Sequence, residues 1–351
     1  MPSNAVRRAA AGVLTVLPLS LSAILLASLA RSQADDFYKG RQVAIICGFQ
    51  PGGGYDAYAR LLARHIGRHI PGNPSVVVQN MDGAGSVRSS NYVYVNAAKD
   101  GSVIAAVNQN MPMYQMLGGK AAQFEAAKLR FIGSLIGSNG LLYTWGTSPT
   151  RSIEDAKRRE TPLGGTGTNS DSHIFPTFIN NVLGTKFKVI NGYSGGTREI
   201  NIALERGEVE GRGGNSYAAL VAASPHWVEE KKLNYLVQIG LRPEPELPSV
   251  PLLIDLVQSP EDKQAVEVIT VPTVLGYTYW LAPEVPGERI DILRRAFDAT
   301  ARDAQFLADA AKSKMLIAPQ SGAALEALVV KAAGIPKPVL ARTAKLLEWT
   351  Q

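Results

Sequence analysis

The stretch Val43–Ile70 constrains the fold of this chain more than any other part. Val43–Phe49 is an apolar run of strand length, Pro51–Gly54 is a glycine turn, and Ala57–Ile70 repeats apolar residues at helical spacing. Free N–H groups at the start of a helix, together with the helix dipole, attract an anion when a glycine turn leaves them uncovered. The pattern therefore predicts either a simple connecting turn or an anion site at the start of this helix, with Tyr55 or Asp56 near the N-cap.

Nucleotide-binding motifs do not fit this turn. A P-loop needs a Gly-Lys-Ser/Thr sequence after its first glycine, and no such lysine follows here. The dinucleotide-binding fingerprint needs spaced glycines, whereas Gly52, Gly53 and Gly54 are contiguous and Ala57 stands where the last glycine should be. We therefore expect a carboxylate or a similar small anion and not a phosphate chain.

Residues 1–34 are predicted to be an export signal. Arg7 and Arg8 give a basic start, Ala9–Ala30 is an almost continuous run of apolar and small residues, and Ser32 and Ala34 are the small residues that a signal peptidase reads. The alternative is a retained membrane anchor, because the apolar run is close to the roughly 20 residues that span a bilayer. Cleavage after Ala34 predicts a periplasmic protein.

Charge and cysteine content exclude several classes of function. The chain has 36 Lys+Arg and 30 Asp+Glu, and the signal contains three arginines and no acidic residue, so the mature chain would carry 33 basic and 30 acidic residues. This near balance, without a basic stripe, predicts no nucleic-acid partner. Cys47 is the only cysteine, so no internal disulfide can form. Of the four histidines only His65 and His69 are close in sequence, and they lack the Glu of a zincin motif, which predicts no metal site. No cofactor is expected either.

The order of strand, glycine turn and helix occurs a second time. Ser75–Gln79 is a β-branched strand, Asn80–Ser86 is a glycine turn, Val87–Ala97 is helical, and Ser102–Asn108 is a third apolar strand. This order is typical of parallel strands with helices packed on them. Both glycine turns are therefore expected to open at the carboxyl edge of one α/β sheet, where open sheets of this kind bind ligands.

Two more glycine turns follow in the second half of the chain. Pro162–Ser172 precedes a helix over His173–Leu183, and Tyr193–Thr197 precedes one over Arg198–Arg206. The first of these turns is rich in short hydroxyl and amide side chains, namely Thr166, Thr168, Asn169, Ser170 and Ser172. Such groups beside free helix N–H groups suit a neutral polar or anionic guest, while N-capping accounts for at least one of them.

The remaining segments predict connecting and packing elements. Gly213–Asn215 predicts a turn before a helix, and Arg242–Pro251 is a proline-rich connector that returns toward the first part of the fold. Tyr277–Ala282 predicts a strand. The patterns Glu288–Ala310 and Ala323–Trp349 predict helices that pack the lobes without taking part in chemistry.

Seven segments, in this order and spacing, resemble the periplasmic solute-binding proteins of tripartite tricarboxylate transporters, the Bug family. They are FQPGGGYDAYAR (Phe49–Arg60), VVVQNMDGAGS (Val76–Ser86), AAKDGS (Ala97–Ser102), GGTGTNSDSH (Gly164–His173), NGYSGGTREINIALERGEVEG (Asn191–Gly211), RPEPELPSVP (Arg242–Pro251) and YWLAPEVP (Tyr279–Pro286). Together they span essentially the whole mature chain, which makes the resemblance specific.

The resemblance implies a fold, a ligand class and a partner. The fold is α/β, of the type II periplasmic-binding kind, with two lobes joined by a two-strand hinge. Residues 35–140 and 251–351 would form lobe 1, and residues 141–250 would form lobe 2. A monomer of this family binds a small carboxylated organic molecule between its lobes and delivers it to a two-subunit membrane permease.

The resemblance also implies ligand-binding residues in both lobes. Members of the family hold a carboxylate through backbone N–H groups and bridging waters, which agrees with the glycine turns. The positions in lobe 1 are Gly53, Gly54, Tyr55, Asp56, Gly85, Ser86 and Asn108. The positions in lobe 2 are Thr166, Thr168, Asn169, Ser170, His173, Tyr193, Gly195 and Asn215. The prediction that follows is that Gly54→Val and Thr168→Val each weaken binding.

The sequence departs from the family pattern at three places. Tyr55 stands where a small Ser or Thr usually follows PGGG, the second loop reads GAGSVRSS where GAGGNIGA is usual, and a valine follows DGS where DGYT is usual. Because Tyr55 would narrow the pocket or line it with an aromatic ring, an aromatic carboxylate is the hypothesis for the ligand. Arg88, just past the second turn, either binds a carboxylate through two hydrogen bonds of its guanidinium or is a surface arginine.

The sequence favours capture of a ligand over catalysis. His173 has Ser170 and Ser172 close in sequence, but at a helix start these side chains point in different directions, and there is no Gly-x-Ser-x-Gly motif. We therefore expect that the protein is not an enzyme. The alternatives are an exported α/β enzyme that acts on a small organic acid and a ligand sensor for a membrane receptor.

Overall fold

The computed structural model describes residues 37–168, 170–193 and 196–349. The predicted export signal lies outside these residues. Two separate β-sheets, each covered by helices, define two lobes, and the chain enters the second sheet at Gly140 and returns to the first at Thr278. No helix in the described ranges is both long enough and apolar enough to cross a membrane.

The strands and helices of the described residues are as follows. The strands are β1 (Gln42–Cys47), β2 (Ser75–Asn80), β3 (Val103–Ala106), β4 (Arg130–Ser134), β5 (Gly140–Trp145), β6 (Thr161–Gly165), β7 (Phe187–Asn191), β8 (Gly211–Ser216), β9 (Leu233–Ile239), β10 (Thr278–Leu281) and β11 (Gln320–Ser321). The α-helices are α1 (Gly54–Ile66), α2 (Val87–Asn91), α3 (Met111–Met116), α4 (Ile153–Arg158), α5 (Asp171–Leu183), α6 (Thr197–Glu205), α7 (Tyr217–Ala223), α8 (Pro225–Glu229), α9 (Leu253–Leu256), α10 (Pro260–Leu275), α11 (Gly287–Arg302), α12 (Ala304–Lys312), α13 (Gly322–Ala333) and α14 (Lys337–Leu346). Short 3₁₀ turns (Gly67–His69, Ala84–Ser86, Ala126–Lys128) and a π-turn (Tyr92–Asn96) complete them.

The first sheet has six strands in the order β11-β4-β10-β3-β1-β2. β1 pairs in parallel with both β2 and β3, and Cys47 at the end of β1 lies opposite Asn80 and Ala106 at the ends of its two neighbours. The glycine turns that follow β1 and β2 therefore leave the sheet at the same edge, as the order of elements predicts. The antiparallel strand β10 confirms the strand expected over Tyr277–Ala282.

The second sheet has five strands in the order β7-β6-β8-β5-β9, with β6 parallel to both neighbours and β5 antiparallel to both of its own. The turn predicted at Gly213–Asn215 is wrong, because these residues belong to β8 in the middle of this sheet. Glycines suit this strand because its neighbours come close: a Cβ at Gly213 would lie 2.4 Å from the Pro176 side chain.

Each sheet is packed on both of its faces. Along β1, Val43 and Ile45 belong to one buried cluster with α1 and α11, while Ile46 belongs to another cluster on the opposite face. Along β5, Leu142 packs on one face of the sheet, whereas Leu141 and Tyr143 pack on the other. This alternation follows from the two-residue period of a strand and makes each lobe a helix–sheet–helix layer structure.

The C-terminal segments connect the lobes. α10, which begins at the capping Ser259, packs Ala265 and Ile269 with Val237 of the second sheet, and its last residue, Leu275, packs with Trp280 of the first. The division expected at residue 250 stays a prediction, and Leu253 packs in the same cluster as Val237.

The two long helical patterns near the C-terminus are interrupted. Asp303 ends α11 and caps α12, because its carboxylate accepts hydrogen bonds from the N–H groups of Gln305 and Phe306. Gly334 and Pro336 separate α13 from α14. The pattern therefore predicts the helical character correctly but misses the caps that divide each stretch.

Candidate functional site

A cavity of about 640 Å³ lies between the two lobes. Turns from both sheets line it, with Gly52, Gly53 and Gly54 from the first lobe and Gly196 from the second. Eight of the predicted site residues line it: Gly53, Gly54, Tyr55, Asp56 and Asn108 from the first lobe, and Thr166, Ser170 and Asn215 from the second. Their proposed contacts with a ligand stay predictions, but their position around one cavity is a property of the fold.

The second glycine turn does not reach the cavity lining. Ser86 is fully buried, and its hydroxyl donates to the carbonyl of Gly48 at 3.0 Å. A Cβ at Gly48 would lie 2.3 Å from the Ser86 oxygen, so the second turn packs tightly against the end of β1. Gly85 and Ser86 therefore support the first turn from behind. Arg88 is exposed, and its contact with the Asp82 carbonyl is a surface one.

Three predicted residues of the second lobe also lie away from the lining. Thr168 is exposed on the turn before α5, and Tyr193 follows β7 with its N–H bonded to the carbonyl of Gly165. His173 pairs its Nδ1 with the Asn191 amide at 3.0 Å, and burial lowers its pKa. Asn169 and Gly195 lie outside the described residues.

The first turn uses its own carboxylate to hold its shape. Asp56 is 3% exposed, and its oxygens accept hydrogen bonds from the N–H of Gly52 and from the side chains of Arg60 and Asn80, each at 2.8–2.9 Å. Burial disfavours the charged carboxylate and by itself would raise the pKa of Asp56. The hydrogen bonds outweigh this effect, so the pKa is lowered. Among the described residues, the N–H groups of Gly53 and Gly54 donate no hydrogen bond, as expected at the start of α1.

Four aromatic rings form one wall of the cavity, which we call the aromatic wall: Phe49, Tyr55, Tyr58 and Tyr277. Phe49 stacks on Tyr55 with ring centroids 4.3 Å apart, and Tyr58 stacks on Tyr277 at 4.1 Å. Tyr55 and Tyr277 meet edge to face at 4.8 Å, so the two stacks are continuous. Gly54 has to be small, because a Cβ there would lie 2.6 Å from the Tyr277 hydroxyl.

The hydroxyl-rich turn of the second lobe is largely self-satisfied. Ser172 accepts a hydrogen bond from the N–H of Thr166 at 3.0 Å, and the Ser170 hydroxyl donates to the carbonyl of Gly167 at 2.7 Å. Ser170 and Ser172 also share a hydrogen bond at 2.8 Å. These side chains therefore shape the turn before α5. Ser170, the N-cap residue, accepts no hydrogen bond from the N–H groups of the helix, so the described residues do not form the side-chain N-cap that the sequence predicts.

Arg212 is the cationic group inside the cavity, and the sequence analysis did not single it out. It lies in β8, lines the cavity and is 6% exposed. One hydrogen bond, from Nη2 to the Thr197 hydroxyl at 3.2 Å, is formed, while Nε and Nη1 have no partner among the described residues. Burial lowers its pKa from the usual value, but an arginine stays charged.

A direct contact joins the lobes beside Arg212. Asp171, the first residue of α5, accepts hydrogen bonds from the side-chain amides of Gln109, at 2.9 Å, and Asn110 in the first lobe. Burial raises the pKa of Asp171 to about 6, although these hydrogen bonds and the charge of Arg212 lower it in part. We call this contact the interlobe contact. It holds the cavity closed on this side.

The charges around the cavity favour an anion. Its lining contains four arginines and two aspartates, a net charge of +2, and no histidine, lysine or glutamate. Arg60 is neutralised by Asp56 at 2.9 Å. Arg64 and Arg198 are exposed at the rim, whereas Arg212 is buried. A cleft lined mainly by one sign of charge raises the local concentration of ions of the opposite sign.

One sequence signal could have revealed Arg212. It is the single charged residue of β8, GRGGNS, where large side chains are otherwise missing. A lone arginine in a buried glycine-rich strand needs a partner. The nearest acidic residue in sequence, Glu210, pairs with Arg159 at 2.7 Å instead. Gln109, Asp171 and Tyr277 carry no comparable signal, because their roles depend on which elements face one another.

Comparison with known proteins shows the fold. No protein-family model matches the sequence, and a comparison with curated proteins gives no match. Among solved structures, the periplasmic binding protein BugD is similar at 19% identity and a TM-score of 0.65, covering 89% of this chain and 99% of that one. A TctC solute-binding protein from Polaromonas is similar at 18% identity and 0.61, covering 87% and 99%. MatC from Rhodopseudomonas palustris, with bound malate, is similar at 18% identity and 0.62, covering 88% and 99%.

These similarities extend over nearly the whole of each protein. The chain therefore has the two-lobed α/β fold of periplasmic solute-binding proteins, which confirms the fold class expected from the sequence. Identities below one fifth do not carry a ligand or a partner from those proteins to this one.

Proposed function

We propose that this protein is an extracytoplasmic solute-binding protein that captures a small carboxylated organic molecule between its lobes. The observation that carries the proposal is the cavity between the sheets, lined by glycine turns of both lobes and by an excess of arginine. A pocket of about 640 Å³ falls in the range of roughly 300–1,000 Å³ that is typical of small-molecule sites.

Capture would work through closure of the lobes. An anion that contacts the first turn and Arg212 at the same time binds the closed arrangement better than the open one, and this difference in affinity drives closure. Gln109, Asn110 and Asp171 add contacts that exist only when the lobes are together. The ligand and the interlobe contact would therefore stabilise the same state.

The place of the protein in transport is part of the same proposal. We place it in the Bug family and propose that, in the periplasm and as a monomer, it delivers its ligand to a two-subunit permease of the tripartite tricarboxylate type. The similarity in fold to TctC and BugD supports this, and malate in MatC supports a carboxylate ligand. The described lining holds no histidine or cysteine, and its carboxyl group with a raised pKa, Asp171, accepts hydrogen bonds from Gln109 and Asn110, which favours capture over catalysis.

The first experiment is a thermal-shift screen of organic acids, followed by titration calorimetry of those that bind. A ligand at about 100 times its Kd stabilises the folded state by about 2.7 kcal/mol, which gives a measurable rise in Tm. If no carboxylate raises the Tm, the proposal fails. Turnover of a bound acid, followed by NMR, would favour the alternative of an exported enzyme.

A pair of valine variants then locates the site. Gly54→Val places a branched side chain against the Tyr277 hydroxyl in the cavity and should weaken binding at least tenfold. Thr168→Val, which the sequence analysis expects to weaken binding, is now the matched control, because Thr168 is exposed away from the lining. Equal affinities of the two variants would place the ligand elsewhere.

A further inference from the structure

Arg212 carries an inference that rests on the proposed function and specifies its ligand. The side chain is 6% exposed and faces the cavity, yet its Nε and Nη1 atoms have no hydrogen-bond partner among the described residues. Buried charges in folded proteins are paired and hydrogen-bonded, because an unpaired charge is strongly destabilising. The missing partner is therefore expected to come from outside the chain.

None of the described residues provides this partner. Asp171 attracts Arg212 electrostatically, but its two oxygens accept hydrogen bonds from Gln109 and Asn110, and no ion pair between Asp171 and Arg212 is formed. The Thr197 hydroxyl, at 3.2 Å, is neutral. The guanidinium consequently keeps unpaired donors at the cavity lining, closed off from solvent in this arrangement of the lobes. A carboxylate, which accepts two parallel N–H bonds, is the partner that suits them once they are uncovered.

The aromatic wall lies next to this guanidinium. Arg212 is close enough to Tyr277 for its charge to act on the tyrosine, and Tyr277 is in contact with Tyr55 and Tyr58. A ligand whose carboxylate is bound at Arg212 therefore has a continuous aromatic surface beside its body. Flat rings pack on such surfaces with an additional gain beyond the area that they bury.

The same geometry disfavours ligands with several negative charges. Arg212 is the only buried cation in the described lining, and Asp171 lies beside it. A second or third carboxylate held deep in the cavity would face the carboxyl group of Asp171, and like charges in a buried site repel each other. The exposed arginines at the rim are too well solvated to offset this repulsion fully.

We infer that Arg212 binds the carboxylate of the ligand directly and that the ring of the same ligand packs on the aromatic wall, so that the ligand is an aryl monocarboxylate. Specificity then comes from a side chain in the second lobe and a surface in the first. The amides of the glycine turns add to the binding of the ligand, but they do not select it.

Calorimetry with benzoate, 2-naphthoate, malate and citrate tests this inference on the wild type and on variants of Arg212. Removing one partner of a buried charged pair at an interface costs about 2–5 kcal/mol, so Arg212→Met should weaken aryl-acid binding at least ~30-fold. Arg212→Lys keeps a positive charge but loses the planar guanidinium that forms two parallel hydrogen bonds. Its affinity for the aryl acids should therefore lie between those of the wild type and Arg212→Met. Arg88→Met removes an exposed arginine away from the cavity and should leave the Kd unchanged.

Each outcome separates this inference from the function on which it rests. Circular dichroism first establishes that Arg212→Met is folded. If this variant binds the aryl acids as tightly as the wild type, or if citrate and malate bind the wild type more tightly than the aryl acids, the inference is overturned while capture of acids stands. If the wild type binds none of the acids, the proposed function fails as well.

Discussion

Replacing Arg212 by methionine should stabilise the ligand-free protein. The side chain is 6% exposed, and its one hydrogen bond within the described residues is to the neutral hydroxyl of Thr197. Exchange of buried ionic groups for apolar side chains of similar volume is often neutral or stabilising by about 1–4 kcal/mol. Such measured exchanges already include the hydrogen bonds that are lost, here the bond to Thr197, and we take the lower end of the range. We expect a net stabilisation of about 1 kcal/mol.

The assay is urea unfolding of ligand-free protein, followed by tryptophan fluorescence and circular dichroism. Any ligand that copurifies is removed first by unfolding and refolding, because bound ligand would stabilise the wild type selectively. Arg88→Met is the control, and as an exposed substitution it should change the free energy of unfolding by less than about 0.5 kcal/mol. The wild type should gain stability from an aryl acid, whereas Arg212→Met should not.

A lower free energy of unfolding for Arg212→Met than for the wild type would refute the reasoning. If Arg212→Met destabilises the ligand-free protein by about 3–5 kcal/mol, the arginine is already part of a buried pair, and Asp171 is its partner. The double variant with Asp171→Asn then decides the matter. A strong coupling energy between the two positions would show an internal ion pair, and a coupling near zero would show that Arg212 is unpaired until ligand binds.

Two further predictions concern stability. Asp171 has a folded-state pKa of about 6 against an ordinary 3.8, so the stability that it contributes is full below pH 4 and is lost as the pH rises through 6; the loss is at most about 3 kcal/mol. Urea unfolding from pH 4 to 7.5 should show this loss relative to Asp171→Asn, and parallel curves would contradict it. Separately, Gly48→Ala places a Cβ 2.3 Å from the Ser86 oxygen and should destabilise by about 1–3 kcal/mol. The double variant with Ser86→Gly should recover only part of this loss, because the Ser89 oxygen, 2.7 Å from the same Cβ, remains. An unchanged urea midpoint for Gly48→Ala would contradict the packing of the second turn behind the first.

Much of the fold is encoded locally. The apolar run of β1, the glycine turn after it and the helical spacing of α1 lie within one stretch of chain, so periodicity and turn chemistry were enough to predict them. The same holds for the parallel pairing that brings two glycine turns to one edge of the sheet. β8 was missed because its glycines are strand residues only in the presence of the neighbours that pack against them.

The candidate site was predictable only in part. Tyr55 and Asn215 line the cavity as expected, Tyr55 from the first turn of α1 and Asn215 from the carboxyl end of β8. Ser86 and His173 do not, because each has found a partner within its own lobe. Sequence patterns give the positions of turns but not the direction in which each turn faces.

By itself, the sequence determined that this chain forms α/β lobes with glycine turns suited to a small anion. Only the tertiary structure decided that Arg212 is buried without a partner, that Asp171 joins Gln109 and Asn110 across the cleft, and that the aromatic rings form one wall. The physical reason is distance along the chain. Periodicity and turns depend on neighbours a few residues away, whereas burial of a charge depends on segments that are far apart in sequence and meet only in the folded protein.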